Sequence, residues 1–308
     1  MELEGTLTTR DRFLGCLLGL AVGDAVGTTL EFKARGSFTP ITDMDGGGPF
    51  RLEPGQWTDD TSMALCLASS LVEKGGFDPS DQMHRYVKWH EEGYWSATGR
   101  CFDIGGTTAR ALARFKRTGD PFAGSADPDS AGNGSIMRLA PVPMFFARDL
   151  GHAVRYSAES SRTTHGAEEC IDACRLFGAM LVRAFTGATK DEILTTDAKA
   201  FSGAAKIVDL ARGAYRSKAE RAIRGSGYVV ESLEAALWCF DRTDSFDAAI
   251  LRAANLGDDA DTTAAVCGQV AGAFYGVQGI PGGWLEKLAM RAEIEHLASK
   301  LFEVSGVE

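Results

Sequence analysis

The chain has 308 residues, 36 of them glycine, which is about 12% where roughly 7% is usual. Its 42 acidic and 32 basic residues leave a formal net charge of −10, which disfavours nucleic-acid binding, because neutralising phosphates needs clustered Lys and Arg. With 44% hydrophobic and 24% charged residues it reads as a soluble globular chain, and seven cysteines without a C-x-x-C pair argue against a disulfide framework or a zinc finger.

The acidic start, Met1-Glu2-Leu3-Glu4, lacks the basic flank of a signal peptide, and a cytoplasmic protein with reduced thiols is expected. The first helical pattern covers 10–27. Its apolar run from Phe13 to Gly23 stops at Asp24, short for a bilayer, so no membrane span is expected. Gly15, Gly19, Gly23 and Gly27 recur every four residues. That spacing puts them on one face, where a second backbone can come close. Each glycine costs an isolated helix about 1 kcal/mol, so tight packing must offset the loss.

Apolar residues at helical spacing continue over 61–74, 80–92, 107–117, 152–161, 167–186, 190–200, 204–215, 228–240, 246–255, 262–275 and 284–302. Gly75 and Gly276 stand where glycine stops a helix. Cys170 and Cys174 share a helical face and read as core thiols. Segments 36–56, 119–135 and 279–283 read as loops, and the first two are long enough to be functional or mobile. No alternating run bounded by hairpin turns is present. The pattern predicts an all-α fold, a single compact many-helix domain over 1–308.

Two acidic clusters open helices: Trp57-Thr58-Asp59-Asp60-Thr61 and Gly257-Asp258-Asp259-Ala260-Asp261-Thr262-Thr263. Asp and Thr are good N-caps, and acids favour the positive end of a helix. Capping explains one acid in each place and leaves the others over. If the two starts meet, their carboxylates repel unless a cation sits between them. Carboxylate and hydroxyl oxygens suit Mg²⁺, Mn²⁺ or Ca²⁺, and only five histidines compete. A third acidic feature, Asp24 followed by Glu31, closes the first helix. An acid there faces the negative end of the dipole, and by position alone Glu31 reads as a solvated surface residue.

Together these residues resemble the ADP-ribosylglycohydrolase family. The matching stretches are 19–27 with Glu31, Trp57-Thr58-Asp59-Asp60-Thr61-Ser62-Met63, Asp103-Ile104-Gly105-Gly106-Thr107-Thr108, Gly132-Asn133-Gly134-Ser135-Ile136-Met137-Arg138, Thr164-His165 and Asp259-Ala260-Asp261-Thr262. They follow the family's order along most of the chain.

The resemblance implies an all-α fold with two divalent cations, Mg²⁺ or Mn²⁺, in a central cleft. The implied metal ligands are Thr58, Asp59, Asp60, Asp259, Asp261 and Thr262, with Asp258 an adjacent acid outside the D-x-D-T pattern. The implied reaction is hydrolysis at the anomeric carbon of the distal ribose of an ADP-ribosylated protein or small conjugate, with the arginine-linked form favoured. Glu31 and Asp103 are the implied catalytic carboxylates. Gly132, Asn133, Gly134 and Ser135 match a phosphate loop, with a helix expected to begin near Ile136. His165 matches a histidine beside the ligand, and Gly105 and Thr107 are placed to meet ribose or phosphate. The alternatives are a relative that binds ADP-ribose without catalysis and a metal-dependent hydrolase of another nucleotide-like substrate. The full set of acids stands against the first, and the Asp103 and Thr164-His165 matches against the second. The residues that select the leaving group are expected in 36–56 and 119–131.

Overall fold

The computed structural model describes residues 7–195 and 201–307. Among them are fourteen helices: α1 (Thr9–Gly27), α2 (Asp59–Lys74), α3 (Pro79–Glu92), α4 (Gly106–Thr118), α5 (Pro141–Phe145), α6 (Leu150–Arg162), α7 (Glu168–Phe185), α8 (Lys190–Leu194), α9 (Ala205–Ala211), α10 (Val229–Asp241), α11 (Phe246–Ala254), α12 (Ala260–Tyr275), α13 (Gly282–Lys287) and α14 (Arg291–Ser305). Extended pairing among the described residues is confined to three isolated bridges. The fold is all-α.

The glycine stripe decides how the molecule is put together. A Cβ at Gly15, Gly19, Gly23 or Gly27 would fall 2.2, 2.3, 2.2 and 2.4 Å from the carbonyl oxygens of Gly272, Gly268, Ala264 and Ala260. Those partners form a second small-residue stripe, on α12, and the pairing runs antiparallel. Two backbones therefore touch along four turns, with dispersion contacts that no larger side chain permits. The pairing carries the start of α12 to the end of α1, and so places Asp259 and Asp261 beside Asp24 and Glu31. Gly23→Ala is expected to lower stability by about 3 kcal/mol through overpacking, read from the urea midpoint. Gly283→Ala, in a helix with no neighbour within 4 Å of the added methyl, is expected to leave it unchanged or raise it slightly.

Buried side chains from every helix except α6, whose half-buried Tyr156 packs against them, form the core around this pair, and Cys170 and Cys174 lie in it as expected. The segment Thr9–Leu30 is, by length and composition, able to cross a membrane, beyond what the 13–23 run indicated. It is almost wholly buried by the other helices, so protein occupies the place that lipid would take.

Several boundaries differ from the sequence pattern. The expected helix over 284–302 is two, α13 and α14, separated at Leu288–Met290 with Met290 at φ 52°. Ala289 N–H donates to Gly55 O, and Trp57 Nε1–H donates to Ala289 O. These tertiary bonds outcompete the next helical turn. Of the 190–200 pattern the described residues form α8, and 196–200 lie outside the described residues. The 204–215 pattern shortens to α9 and a 3₁₀ turn. No helix begins near Ile136. Gln269 Nε2 donates to Ile136 O and Met137 O, and buried Arg138 donates to Gly134 O at 2.6 Å, taking carbonyls that a helix would use. The five-residue α5 follows instead.

The 36–56 loop is pinned along its length. Thr29 Oγ1 donates to Gly46 O, Asn255 exchanges two hydrogen bonds with Ile41, and Asp43 accepts from Trp284 Nε1 and Lys287 Nζ.

Candidate active site

Both acidic helix starts open on one cleft of about 790 Å³. α2 and α12 direct their N-terminal dipoles at it, which favours negative charge there. Asp59 and Asp60 occupy the first turn of α2, with Asp259 as N-cap and Asp261 in the first turn of α12. Asp59, Asp259, Asp261 and Thr262 line the cleft with Glu31 and Asp103. Thr58 and Asp60 are fully buried beneath them.

Asp24 organises this floor, a role that its motif position alone does not reveal. Its Oδ1 accepts from Thr58 N–H (2.9 Å) and Thr58 Oγ1 (2.8 Å), and its Oδ2 from Thr61 N–H (3.0 Å) and Thr61 Oγ1 (2.6 Å). A carboxylate in the interior of α1 thus caps α2 from outside, in place of the capping bond Thr58 does not make to its own helix. A buried acid on the stripe-bearing helix was the available signal, since a carboxylate at 0% exposure needs donors.

Two groups of carboxylates converge closely enough for a cation. Asp24, Asp60 and Asp261 each bring one oxygen within 4.8 Å of the others, and so do Glu31, Asp103 and Asp261. Asp24 already accepts four hydrogen bonds, so it positions more than it ligates. Asp60 Oδ1, Asp261 Oδ1 and Glu31 Oε2 are buried without any hydrogen-bond partner among the described residues. Orphaned buried acceptors of this kind are costly, and a hard divalent cation is the partner their chemistry fits. Thr58 Oγ1 lies 3.3 Å from both Asp60 Oδ2 and Asp261 Oδ2, and Thr262 Oγ1 lies 3.4 Å from Asp60 Oδ2. Adding Mg²⁺ or Mn²⁺ at about 100 times Kd is expected to stabilise the chain by about 2.7 kcal/mol, several degrees in Tm by differential scanning calorimetry, with the gain lost to a chelator.

Burial and mutual repulsion push these carboxyls up. Burial, then Asp103 and Asp259, raises Glu31 to about 9. Burial, then Asp24 and Asp259, raises Asp103 to about 7. Asp59, Asp60 and Asp261 shift upward for the same reasons. Glu31 is 3% exposed and shares a hydrogen bond with Asp103, so it is not a surface residue. The helix ends at Gly27, and a 3₁₀ turn over Thr28–Leu30 swings Glu31 over the cleft. Asp103 and Asp258 hold left-handed backbone (both φ 57°), a cost that persists where the surroundings impose it, commonly at functional sites. Asp258 is exposed on the rim. Its N–H donates to Lys33 O, and its carbonyl accepts from Phe32 N–H.

The opposite wall carries the predicted phosphate loop, but in reduced form. Gly132 and Asn133 N–H already donate to Ser130 O and Gly227 O, which leaves Gly134 and Ser135 as the loop's backbone donors. Asn133 Nδ2 reaches Asp259 Oδ2 at 2.7 Å, so that side chain orients a carboxylate. Ser135 Oγ faces Cys174 Sγ in the core, away from the cleft. The helix N-terminus expected at Ile136 is supplied by α4. Gly105 caps it without a side-chain bond, and Gly105, Gly106 and Thr107 line the cleft, an arrangement suited to an anion.

His165 lies against this loop, and a Cβ at Gly134 would come within 2.6 Å of its Cε1. Arg138 donates to Thr164 Oγ1 (2.6 Å), and the same hydroxyl shares a hydrogen bond with His165 Nδ1 (2.8 Å), which fixes the ring's orientation against the loop. Burial, with Arg138 and Arg110 nearby, lowers His165 to about 3 and keeps it neutral.

Known proteins match this chain along nearly its whole length. The family model described as ADP-ribosylglycohydrolase matches residues 5–308. An ADP-ribosylarginine hydrolase Tri1 of Pseudomonas putida (strain GB-1) is 48% identical over 95% of this chain and 78% of its own. The ADP-ribosyl-[dinitrogen reductase] glycohydrolase of Rhodospirillum rubrum is 35% identical over 98% and 99%. A solved structure of an ADP-ribosylglycohydrolase-related protein complex superposes with a TM-score of 0.86 at 43% identity, over 96% of this chain and 99% of that one. With the family model matching residues 5–308 and relatives 48% and 35% identical along nearly the whole chain, this chain belongs to the ADP-ribosylglycohydrolase family, a family of hydrolases.

Proposed function

We propose that this protein removes ADP-ribose from arginine, reversing mono-ADP-ribosylation, with two divalent cations, Mg²⁺ or Mn²⁺, held by Thr58, Asp59, Asp60, Asp259, Asp261 and Thr262. The observation that supports it most is the gathering of the orphaned carboxylate oxygens of Asp60, Asp261 and Glu31 in and beneath one cleft. The names of the two relatives above favour the arginine-linked substrate.

The cations, when bound, supply positive charge that fixes the ribose hydroxyls and orients water. The chain's own residues do the rest. Gly134 and the α4 start donate to the pyrophosphate, and the neutral His165 ring lines the cleft beside them. The bond between the anomeric carbon and the guanidino nitrogen breaks as water oxygen bonds to that carbon. One water proton passes through the Glu31–Asp103 pair to the departing nitrogen, and the other remains on the new hydroxyl. Burial and mutual repulsion hold both carboxyls above the usual carboxylate range in the cation-free chain, and the hydrogen bond they share gives the proton a path between them. Carboxylates also stabilise the oxocarbenium character of the transition state.

Incubating the cation-loaded protein with arginine-, serine- and acetyl-linked ADP-ribose tests this reading. Release of free ADP-ribose chiefly from the arginine conjugate is expected. Silence on all three would favour a binding protein. A cytoplasmic setting and one domain over 1–308 complete the proposal.

A further inference from the structure

Of the large hydrophobic side chains exposed among the described residues, Phe32 is the most open, at 69%, and it alone of them lines the cleft. Its backbone is left-handed (φ 61°), an unfavourable state for a bulky residue. Two bonds impose it: Phe32 N–H to Asp258 O at 2.7 Å, and Asp258 N–H to Lys33 O at 2.8 Å. An exposed ring on a strained backbone contributes nothing to the core. Phe50 of the pinned 36–56 loop supports it from the side, with centroids 6.5 Å apart and planes at 71°. Phe102 meets Phe50 at 5.2 Å. Phe32 and Phe102 directly adjoin Glu31 and Asp103, the two carboxyls placed at the reacting carbon. The exposed Asp258 carboxylate stands on the same rim.

We infer that Phe32, with Asp258 beside it, determines specificity by receiving the arginine side chain that leaves. The inference rests on the arginine reading above. The arginine conjugate carries a planar, delocalised guanidinium cation before cleavage, and the freed arginine carries it again once its nitrogen has taken up the proton. An aromatic face next to a carboxylate attracts such a cation. A serine hydroxyl or an acetate gives no cation and gains nothing from either group. The rim thus discriminates among substrates that share the same ADP-ribose.

The test compares Phe32→Ala, Phe32→Leu, Phe32→Trp and Asp258→Asn with wild type, as full chains loaded with cation. Turnover of ADP-ribosylarginine and calorimetric Kd for free ADP-ribose are measured on each. Phe32→Ala and Phe32→Leu are expected to lose about tenfold in kcat/KM, mostly through KM, the size of a partly exposed cation–π contact. Phe32→Trp is expected to restore it, Asp258→Asn to lose less, and the Kd for ADP-ribose to stay constant in all four. Unchanged kcat/KM in Phe32→Ala overturns the inference while leaving the arginine reading intact. A Kd that weakens in step with kcat/KM also overturns it, because the ring then serves the nucleotide. Wild type that hydrolyses only the serine conjugate overturns the arginine reading, and this inference with it.

Discussion

Asp60→Asn and Asp261→Asn are each expected to abolish cation binding and lower turnover by more than about 100-fold. Outer partners of metal ligands already cost about 10–100-fold when removed, and these two residues present the orphaned oxygens themselves. The stability effect has the opposite sign. Without cation, wild type buries several carboxylates against one another, so neutralising one removes repulsion and desolvation cost. Each variant is therefore expected to be at least as stable as the cation-free wild type, and to lose the rise in Tm that Mn²⁺ gives wild type. In Asp60→Asn the new amide oxygen still accepts from Thr262, whose hydroxyl lies 3.4 Å from Asp60 Oδ2. Full activity in either variant would remove its residue from the metal site.

Glu31→Gln is expected to keep the rise in Tm with cation yet lose about 10²–10⁴-fold in kcat, the range for loss of a positioned proton-transfer group. The substitution preserves shape at a residue 3% exposed, so packing does not account for the loss. Stopped-assay measurement of ADP-ribose release, alongside calorimetric Mn²⁺ titration, separates chemistry from metal binding. Unchanged kcat would exclude Glu31 as the group that moves the proton.

The α1 stripe was legible from its spacing, and so was its consequence that a backbone must come close. Its partner stripe, Ala260, Ala264, Gly268 and Gly272, repeats the same interval, but spacing sets neither partner nor direction, so the antiparallel pairing and the meeting of the acidic helix starts emerge only in the fold. The break at Leu288–Met290 was not legible, because Leu, Ala and Met favour helix and the bonds that interrupt it come from Gly55 and Trp57, far away in sequence. The missing helix at Ile136 has the same cause in distant Gln269, with Arg138 competing locally for Gly134 O. The capping role of Asp24 was hidden because its donors, Thr58 and Thr61, lie more than thirty residues on. The burial of Glu31 depends on the turn that follows α1, which local dipole reasoning does not foresee. Motif order identified which residues gather, and tertiary hydrogen bonds determine which of them face the cleft.

The dependence of the reaction on cations held between α1, α2 and α12 is tested most directly by following ADP-ribose release from ADP-ribosylarginine while Mn²⁺ is titrated into the chelated protein, with bound Mn²⁺ counted by electron paramagnetic resonance. The expected result is no release in chelator and a rate that rises in proportion to occupancy, saturating at two ions per chain. Full-rate release with no ion bound would contradict it.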